Sequence, residues 1–224
     1  MALVAACVLA ACGGTSSASK SASRATSAAT TTSAAGTTTA AGTTAPAAPR
    51  MGPEGIPLEA GPALASAATT TPGGAVDGVK CAPIEQLVYH IHAHLQVYVN
   101  GHPRALPGAL GLIGPVAQQT AYGPFYGAQG CYYWLHTHTT DGIIHIESPS
   151  KRVYTLGNFF DEWRQPLMPG QVASVKGNVT AFLNGKRWTH DPRAIPLLPH
   201  ALIQLDVGSP ATAPQTISFA GTHL

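Results

Sequence analysis

Residues 87–99 alternate between apolar and polar side chains along almost their whole length. The odd-numbered positions are apolar, and several of the even-numbered positions are histidines. A period of two is typical of a β-strand that places one face on a hydrophobic core. Asn100-Gly101 follows directly, and this dipeptide predicts a tight hairpin that returns through residues 102–106.

The same strand, Asn-Gly and strand pattern recurs at residues 179–188. Further strands are predicted at 131–139, 143–148, 151–155, 201–207 and 216–219. One amphipathic helix is predicted over Leu156–Trp163, with its aromatic side chains directed at the core. The chain is therefore predicted to be mainly β, a compact β-sandwich or barrel with one short helix.

Composition divides the chain into a tether and a folded domain. Residues 13–77 are rich in Ala, Ser, Thr, Gly and Pro, and no aromatic residue precedes Tyr89. A segment with so little apolar surface cannot offset the entropy lost on ordering. We therefore expect a disordered tether over 13–77 and a histidine-rich β domain over 78–224, which is long enough for one core.

The N-terminal residues 1–12 are apolar but too few to span a bilayer as a helix. The segment resembles a bacterial lipoprotein signal, because Leu9-Ala10-Ala11-Cys12 matches the lipobox pattern. This resemblance implies lipidation of Cys12 and an extracytoplasmic domain anchored to a membrane. An ordinary secretory signal is the alternative, and it also implies export.

Charge and motifs exclude several classes of partner. The formal net charge is +2, and no cluster of Lys and Arg occurs. A nucleic-acid surface is therefore not expected. No glycine-rich nucleotide-binding motif occurs either, so neither nucleotides nor nucleic acids are predicted partners. A protein partner in the cell envelope stays open.

Two cysteines are left for the folded domain once Cys7 and Cys12 are assigned to the signal segment. In an oxidising compartment we expect Cys81 and Cys131 to form a disulfide. Free thiolate metal ligands are the alternative.

Residues 134–147, WLHTHTTDGIIHIE, place three histidines and a glutamate around Asp141-Gly142. If this dipeptide forms a two-residue type I′ turn, residues at equal distances from it face each other across a hairpin. The predicted pairs are His138 with His145 and His136 with Glu147.

All four side chains of these pairs then lie on one face of the hairpin. Facing residues have Cβ atoms about 4.5–5.5 Å apart, and imidazole binds a metal at about 2.0–2.1 Å. His136, His138, His145 and Glu147 could thus converge on one ion. A three-residue loop would instead move His145 and Glu147 to the opposite face.

A second cluster, His90, His92 and His94, points to one side of the strand at 87–99. Its outer members lie about 13 Å apart, so one ion can take only two adjacent members. If this strand lies beside the hairpin, one or two of its histidines could complete the metal shell. The alternative is a polar strand face without metal. Imidazole ligands favour zinc, copper or iron over calcium or magnesium.

The segments YHIHAHLQVYVNG, CYYWLHTHTTDGIIHIESP and YTLGNFFDEW together resemble a group of exported bacterial proteins of unknown function. The resemblance covers most of residues 89–208. It implies a shared domain and assigns no chemistry.

Three functions fit these patterns. The first is a surface-tethered domain that binds a transition metal for capture, buffering or delivery. The second is an extracytoplasmic metalloenzyme, a hydrolase or an oxygenase, with Glu147 as general base. The third is a cell-envelope interaction module with structural histidines. An enzyme should show ligands at the base of a pocket, whereas a carrier should show a shallower, accessible site.

Overall fold

Short and long β-strands dominate the described part of the chain, which is residues 48–67 and 74–224 of a computed structural model. These residues belong to one unit, Pro46–Leu224. The strands are β1 (Cys81–Ala82), β2 (Tyr89–Val99), β3 (His102–Arg104), β4 (Leu112–Thr120), β5 (Gly123–Tyr133), β6 (Leu135–His136), β7 (Ile143–Ser148), β8 (Tyr154–Thr155), β9 (Leu167–Met168), β10 (Gln171–Val172), β11 (Val175–Lys176), β12 (Val179–Leu183), β13 (Lys186–Trp188), β14 (Pro196–Leu197) and β15 (Ala201–Val207). Helix α1 is Leu156–Glu162, and a 3-10 turn spans Pro192–Ala194.

The main sheet has the strand order β13-β12-β15-β2-β7-β6, with β3 beside β2. Strands β2 and β15 are parallel, and the other pairs in this sheet are antiparallel. Three smaller sheets have the orders β1-β5-β4, β9-β10-β11 and β8-β14. The predicted mainly β class with one short helix is confirmed, in the form of open sheets and not of a closed barrel.

One face of the main sheet is apolar and carries the core. Alternate residues of β2, such as Leu95, align with Ile203 of β15, and Ile144 of β7 lies on the same face. All three are at most 2% exposed. Helix α1 packs its aromatic residues into the same core, as the sequence predicted. Its first turn is closed by a capping box between Thr155 and Asn158.

The opposite face of the main sheet is also covered, and this face carries the histidines. Glu54 accepts a hydrogen bond from His145, and the backbone oxygen of Tyr126 in β5 contacts His138. The segment 48–67 thus contacts the domain, with Ile56 fully buried. The predicted tether boundary before residue 78 is therefore too late for this segment, because Ile56 and its neighbours have apolar surface to bury. Residues 13–47 and 68–73 of that prediction, the signal segment and Cys12 lie outside the described residues.

Both Asn-Gly hairpins are confirmed. Val99 pairs with His102 and Leu183 with Lys186, so two residues connect the strands in each case. Asn100 and Gly101 have φ values of 50° and 77°, as a type I′ turn requires.

Three strand predictions differ from the structure. Residues 216–219 form no strand, and the predicted strand 131–139 is divided between β5 and β6. Of the predicted strand 151–155, only β8 is formed. The β4-β5 hairpin was not predicted, because glycine and proline interrupt its hydrophobic pattern. Its pairing also contains an irregularity between Ile113 and Pro115.

The predicted disulfide is present. Cys81 in β1 and Cys131 in β5 are bonded, with their Cα atoms 5.5 Å apart and a sequence separation of 50. Closing a loop of that size stabilises the fold by about 4 kcal/mol in the chain-entropy account. Among the described residues, no helix has the length and apolar character of a membrane span.

Candidate metal centre

Three neighbouring strands assemble the histidines in one row. His92 of β2 lies opposite His145 of β7, which lies opposite His136 of β6. In the next row His90 lies opposite Glu147. Since residues paired across a sheet project to the same face, the two clusters seen in the sequence meet on one surface. Strand β2 lies beside β7, so the condition under which its histidines could complete the metal shell is met.

The predicted two-residue turn at Asp141-Gly142 is wrong. Strand β6 ends at His136 and β7 begins at Ile143, and His136 faces His145 instead of Glu147. The register is therefore shifted by two residues from the predicted one. A shift of two keeps His136 on its predicted face, beside His145 and Glu147. His138 lies beyond the end of β6, so this register does not place it.

The connection between β6 and β7 binds to other segments instead of closing on itself. Thr137 donates a backbone hydrogen bond to Leu110, and Thr140 accepts one from Glu59. Asp141 accepts a bond from the backbone of Ile143 at 3.1 Å. Gly142 has φ +79°, and a Cβ there would lie 2.6 Å from the Leu95 carbonyl oxygen. Glycine is thus required by the close approach to β2.

The Nε2 atoms of His136 and His138 face each other, and the hydrogen bonds of the two Nδ1 atoms show that neither Nε2 atom carries a proton in the neutral ring. The Nδ1 atom of His136 donates to the carbonyl oxygen of Tyr133 at 2.8 Å, and that of His138 donates to Tyr126 at 2.6 Å. A carbonyl oxygen only accepts, so both Nδ1 atoms carry the proton of a neutral ring. The two Nε2 atoms are 3.2 Å apart, and in neutral rings both carry lone pairs.

Neither ring takes up a second proton easily. Burial, and then the neighbouring His138, hold the pKa of His136 well below its ordinary value. Burial and His145 lower the pKa of His138 to about 4. The two lone pairs therefore face each other at neutral pH unless a cation lies between them.

His145 occupies the middle of the cluster. Its Nε2 atom lies 2.7 Å from Glu54 Oε1, and its Nδ1 atom lies 3.3 Å from Glu147 Oε1. Burial opposes the protonation of His145, but the hydrogen bonds to Glu147 and Glu54 outweigh it and raise its pKa to about 9. Burial likewise opposes ionisation of Glu54, but the hydrogen bond to His145 outweighs it and lowers the pKa of that carboxyl.

The four predicted ligands form one group. His136, His138, His145 and Glu147 each offer one ligand atom within 4.8 Å of the others. All four are buried, with exposures of at most 6%. Donors around a tetrahedral zinc at about 2.0–2.1 Å lie about 3.3 Å apart. The 3.2 Å between the Nε2 atoms of His136 and His138 matches this spacing.

His90 and His92 form a second group with the same His145 and Glu147. Their Nε2 atoms are 3.0 Å apart, and His90 Nε2 lies 3.1 Å from Glu147 Oε1. His92 Nε2 lies 3.1 Å from His145 Nδ1. Burial, and then His145, lower the pKa of His92 to about 2. His94 belongs to neither group; burial lowers its pKa to about 4, and it bonds to the Asp141 backbone.

A cavity of about 720 Å³ opens above the cluster. Five of the candidate ligands line it, and His136 lies beneath them. Glu85 also lines it, 3.5 Å from His138 Nε2, and burial raises the pKa of this carboxyl. The ligands thus line a pocket that the carboxylates of Glu54 and Glu85 also line.

Sequence reasoning missed Glu54, Glu85 and the carbonyl oxygen of Tyr126. Glu54 falls in the segment assigned to the tether, and Glu85 lies in irregular chain before β2. No local pattern distinguishes either residue from a surface glutamate. Only the fold brings them to the histidines.

Comparisons of the chain with protein-family models, with curated proteins and with solved structures found no significant match.

Proposed function

We propose that this protein is an extracytoplasmic metal-binding protein whose ion, zinc, copper or iron, is held by His136, His138, His145 and Glu147. The observation that carries the proposal is the 3.2 Å approach of the Nε2 atoms of His136 and His138, whose Nδ1 atoms both lie against backbone carbonyls. Two buried hydrogen-bond acceptors at this distance repel each other, and a metal cation between them would be bound by both nitrogen atoms.

The surroundings of these histidines support the proposal. Histidines that bind metals commonly donate their second ring N–H to a backbone carbonyl or a carboxylate, which fixes the ring. The carbonyls of Tyr133 and Tyr126 do this for His136 and His138, and Glu54 does it for His145. The disulfide supports an oxidising, extracytoplasmic compartment. Anchoring through a lipid on Cys12 is part of the same proposal.

A second candidate function is catalysis, and the cavity is the observation that favours it. A domain that captures and delivers ions needs accessible ligands, whereas four of the five candidate ligands that line the cavity are buried. In such an enzyme the metal would leave one position open for water. Glu147 fits better as a ligand than as a general base, because its Oε1 lies within 3.8 Å of His90, His136 and His145. Glu85 is then the candidate base.

Metal content tests the first proposal. The full chain, freed of metal and dialysed against zinc, should retain it by elemental analysis, and a His136→Ala/His138→Ala variant should lose at least half. A His102→Ala/His190→Ala variant removes the same number of histidines from exposed positions and should bind as the original does. Equal metal in all three proteins, or none in the original, would remove the proposal.

Anion binding separates an enzyme from a carrier. In the cobalt-substituted protein an open coordination position should bind azide and shift the visible absorption bands. A spectrum unchanged at saturating azide would favour a closed shell and the carrier.

A further inference from the structure

We propose that the centre holds two metal ions bridged by the carboxylate of Glu147, one between His136 and His138 and the other between His90 and His92. This inference rests on the proposed function and adds a second ion to it. His145 lies between the two pairs and serves as a ligand to one of the ions.

The number of donors exceeds what one ion takes. Five imidazoles and a carboxylate converge here, whereas zinc in proteins almost always takes about four ligands. They fall into two groups that share only His145 and Glu147. Each group contains its own pair of histidines, with Nε2 atoms 3.2 Å apart in one pair and 3.0 Å apart in the other.

Glu147 is placed to bridge the two groups. Its Oε1 atom lies 3.8 Å from His136 Nε2 and 3.1 Å from His90 Nε2, one member of each pair. Its Oε2 atom is buried and has no hydrogen-bond partner among the described residues. A buried carboxylate oxygen without a partner destabilises the fold unless a cation binds it. Ions about 3.5–4 Å apart are the usual two-metal arrangement, and one carboxylate spans that distance.

His145 lies between the two pairs. Its ring centroid lies 4.4 Å from that of His138 and 4.5 Å from that of His92. Its Nδ1 atom faces His92 Nε2 and Glu147 Oε1. The ion between His90 and His92 therefore has four candidate donor atoms, each in contact with the next. If His145 binds there, the other ion has two histidines, Glu147 and a free position for water.

Stoichiometry tests the second ion. The metal-free full chain is titrated with Co²⁺ and analysed for bound metal after gel filtration. We expect about two equivalents for the original chain and about one for His90→Ala/His92→Ala. The His102→Ala/His190→Ala control should keep both equivalents. One equivalent in the original chain overturns this inference and leaves the proposed function standing, whereas none overturns both.

A spectroscopic measurement needs no variant and tests the bridge. Loaded with two equivalents of Cu²⁺, the original chain should give a weaker electron paramagnetic resonance signal per copper than it does with one, because bridged ions couple. A signal that grows in proportion to the copper overturns the bridge.

The single variant His90→Ala, at a side chain that is 34% exposed, should weaken binding of the second equivalent at least tenfold even if the double variant does not fold.

Discussion

The main sheet buries both of its faces, but it buries them against different chemistry. On one face Leu95, Ile144 and Ile203 pack with the aromatic residues of helix α1. On the other face the same strands bury histidines and carboxylates beneath segment 48–67 and hairpin β4-β5. Removing apolar groups from water stabilises the fold, whereas burying polar groups destabilises it unless they find partners. The first face therefore explains why the chain folds, and the second indicates what the fold is for.

The largest effect is expected on the apolar face. Ile146 is fully buried in β7, and Ile146→Ala should lower the free energy of unfolding by about 2–5 kcal/mol. Because no metal contacts this face, the loss should be equal with and without zinc. Urea unfolding measures it, and Val153→Ala, at a residue 53% exposed, is the control with little effect. A loss that appears only with zinc would contradict the division between the faces.

A smaller effect is expected from Glu54, which orients His145. Glu54→Gln removes the carboxylate that lies 2.7 Å from His145 Nε2. Loss of such an outer-shell partner should weaken metal binding about 10–100-fold. Competition with a chromophoric chelator measures the affinity, and Asp77→Asn, at an exposed carboxylate that does not line the cavity, is the matched control. An unchanged affinity in Glu54→Gln would show that His145 needs no carboxylate to bind the metal.

The smallest effect of a single change, about tenfold for one pH unit, is expected from pH. The pKa of His145 is raised to about 9, so this ring holds an extra proton at pH 7 in the metal-free protein. Metal binding must displace that proton. The apparent affinity should therefore rise about tenfold per pH unit from pH 7 and level off near pH 9. Calorimetry in buffers of different ionisation enthalpy measures the released proton, and an affinity independent of pH in this range would exclude His145 as a ligand.

The parts of the site predicted from sequence are those fixed by local pattern. Period two placed β2 and put His90 and His92 on one face, and the bounds of β7 and β15 agree with the predicted ones. The Asn-Gly turns were predictable because type I′ geometry depends on two residues alone. The disulfide followed from there being only two cysteines in the folded domain.

The parts that could not be predicted depend on distant contacts. Asp141-Gly142 resembles a hairpin turn, but Thr137 and Thr140 bond to residues far away in the sequence, and those bonds end β6 at His136. The position of Glu54 depends on the packing of segment 48–67, whose composition resembles that of the tether. Even so, the position of His136 beside His145 was predictable to the correct face, because a register shift of two residues preserves the face.

X-ray absorption spectroscopy of the zinc-loaded full chain tests the central claim most directly, since it reports the atoms bound to the metal. The structure predicts a first shell of nitrogen and oxygen at about 2.0–2.1 Å with the outer-shell scattering of several imidazole rings. The His136→Ala/His138→Ala variant should lose much of that imidazole scattering. A first shell of oxygen without imidazole scattering in the original chain would contradict the claim that this buried face is a metal centre.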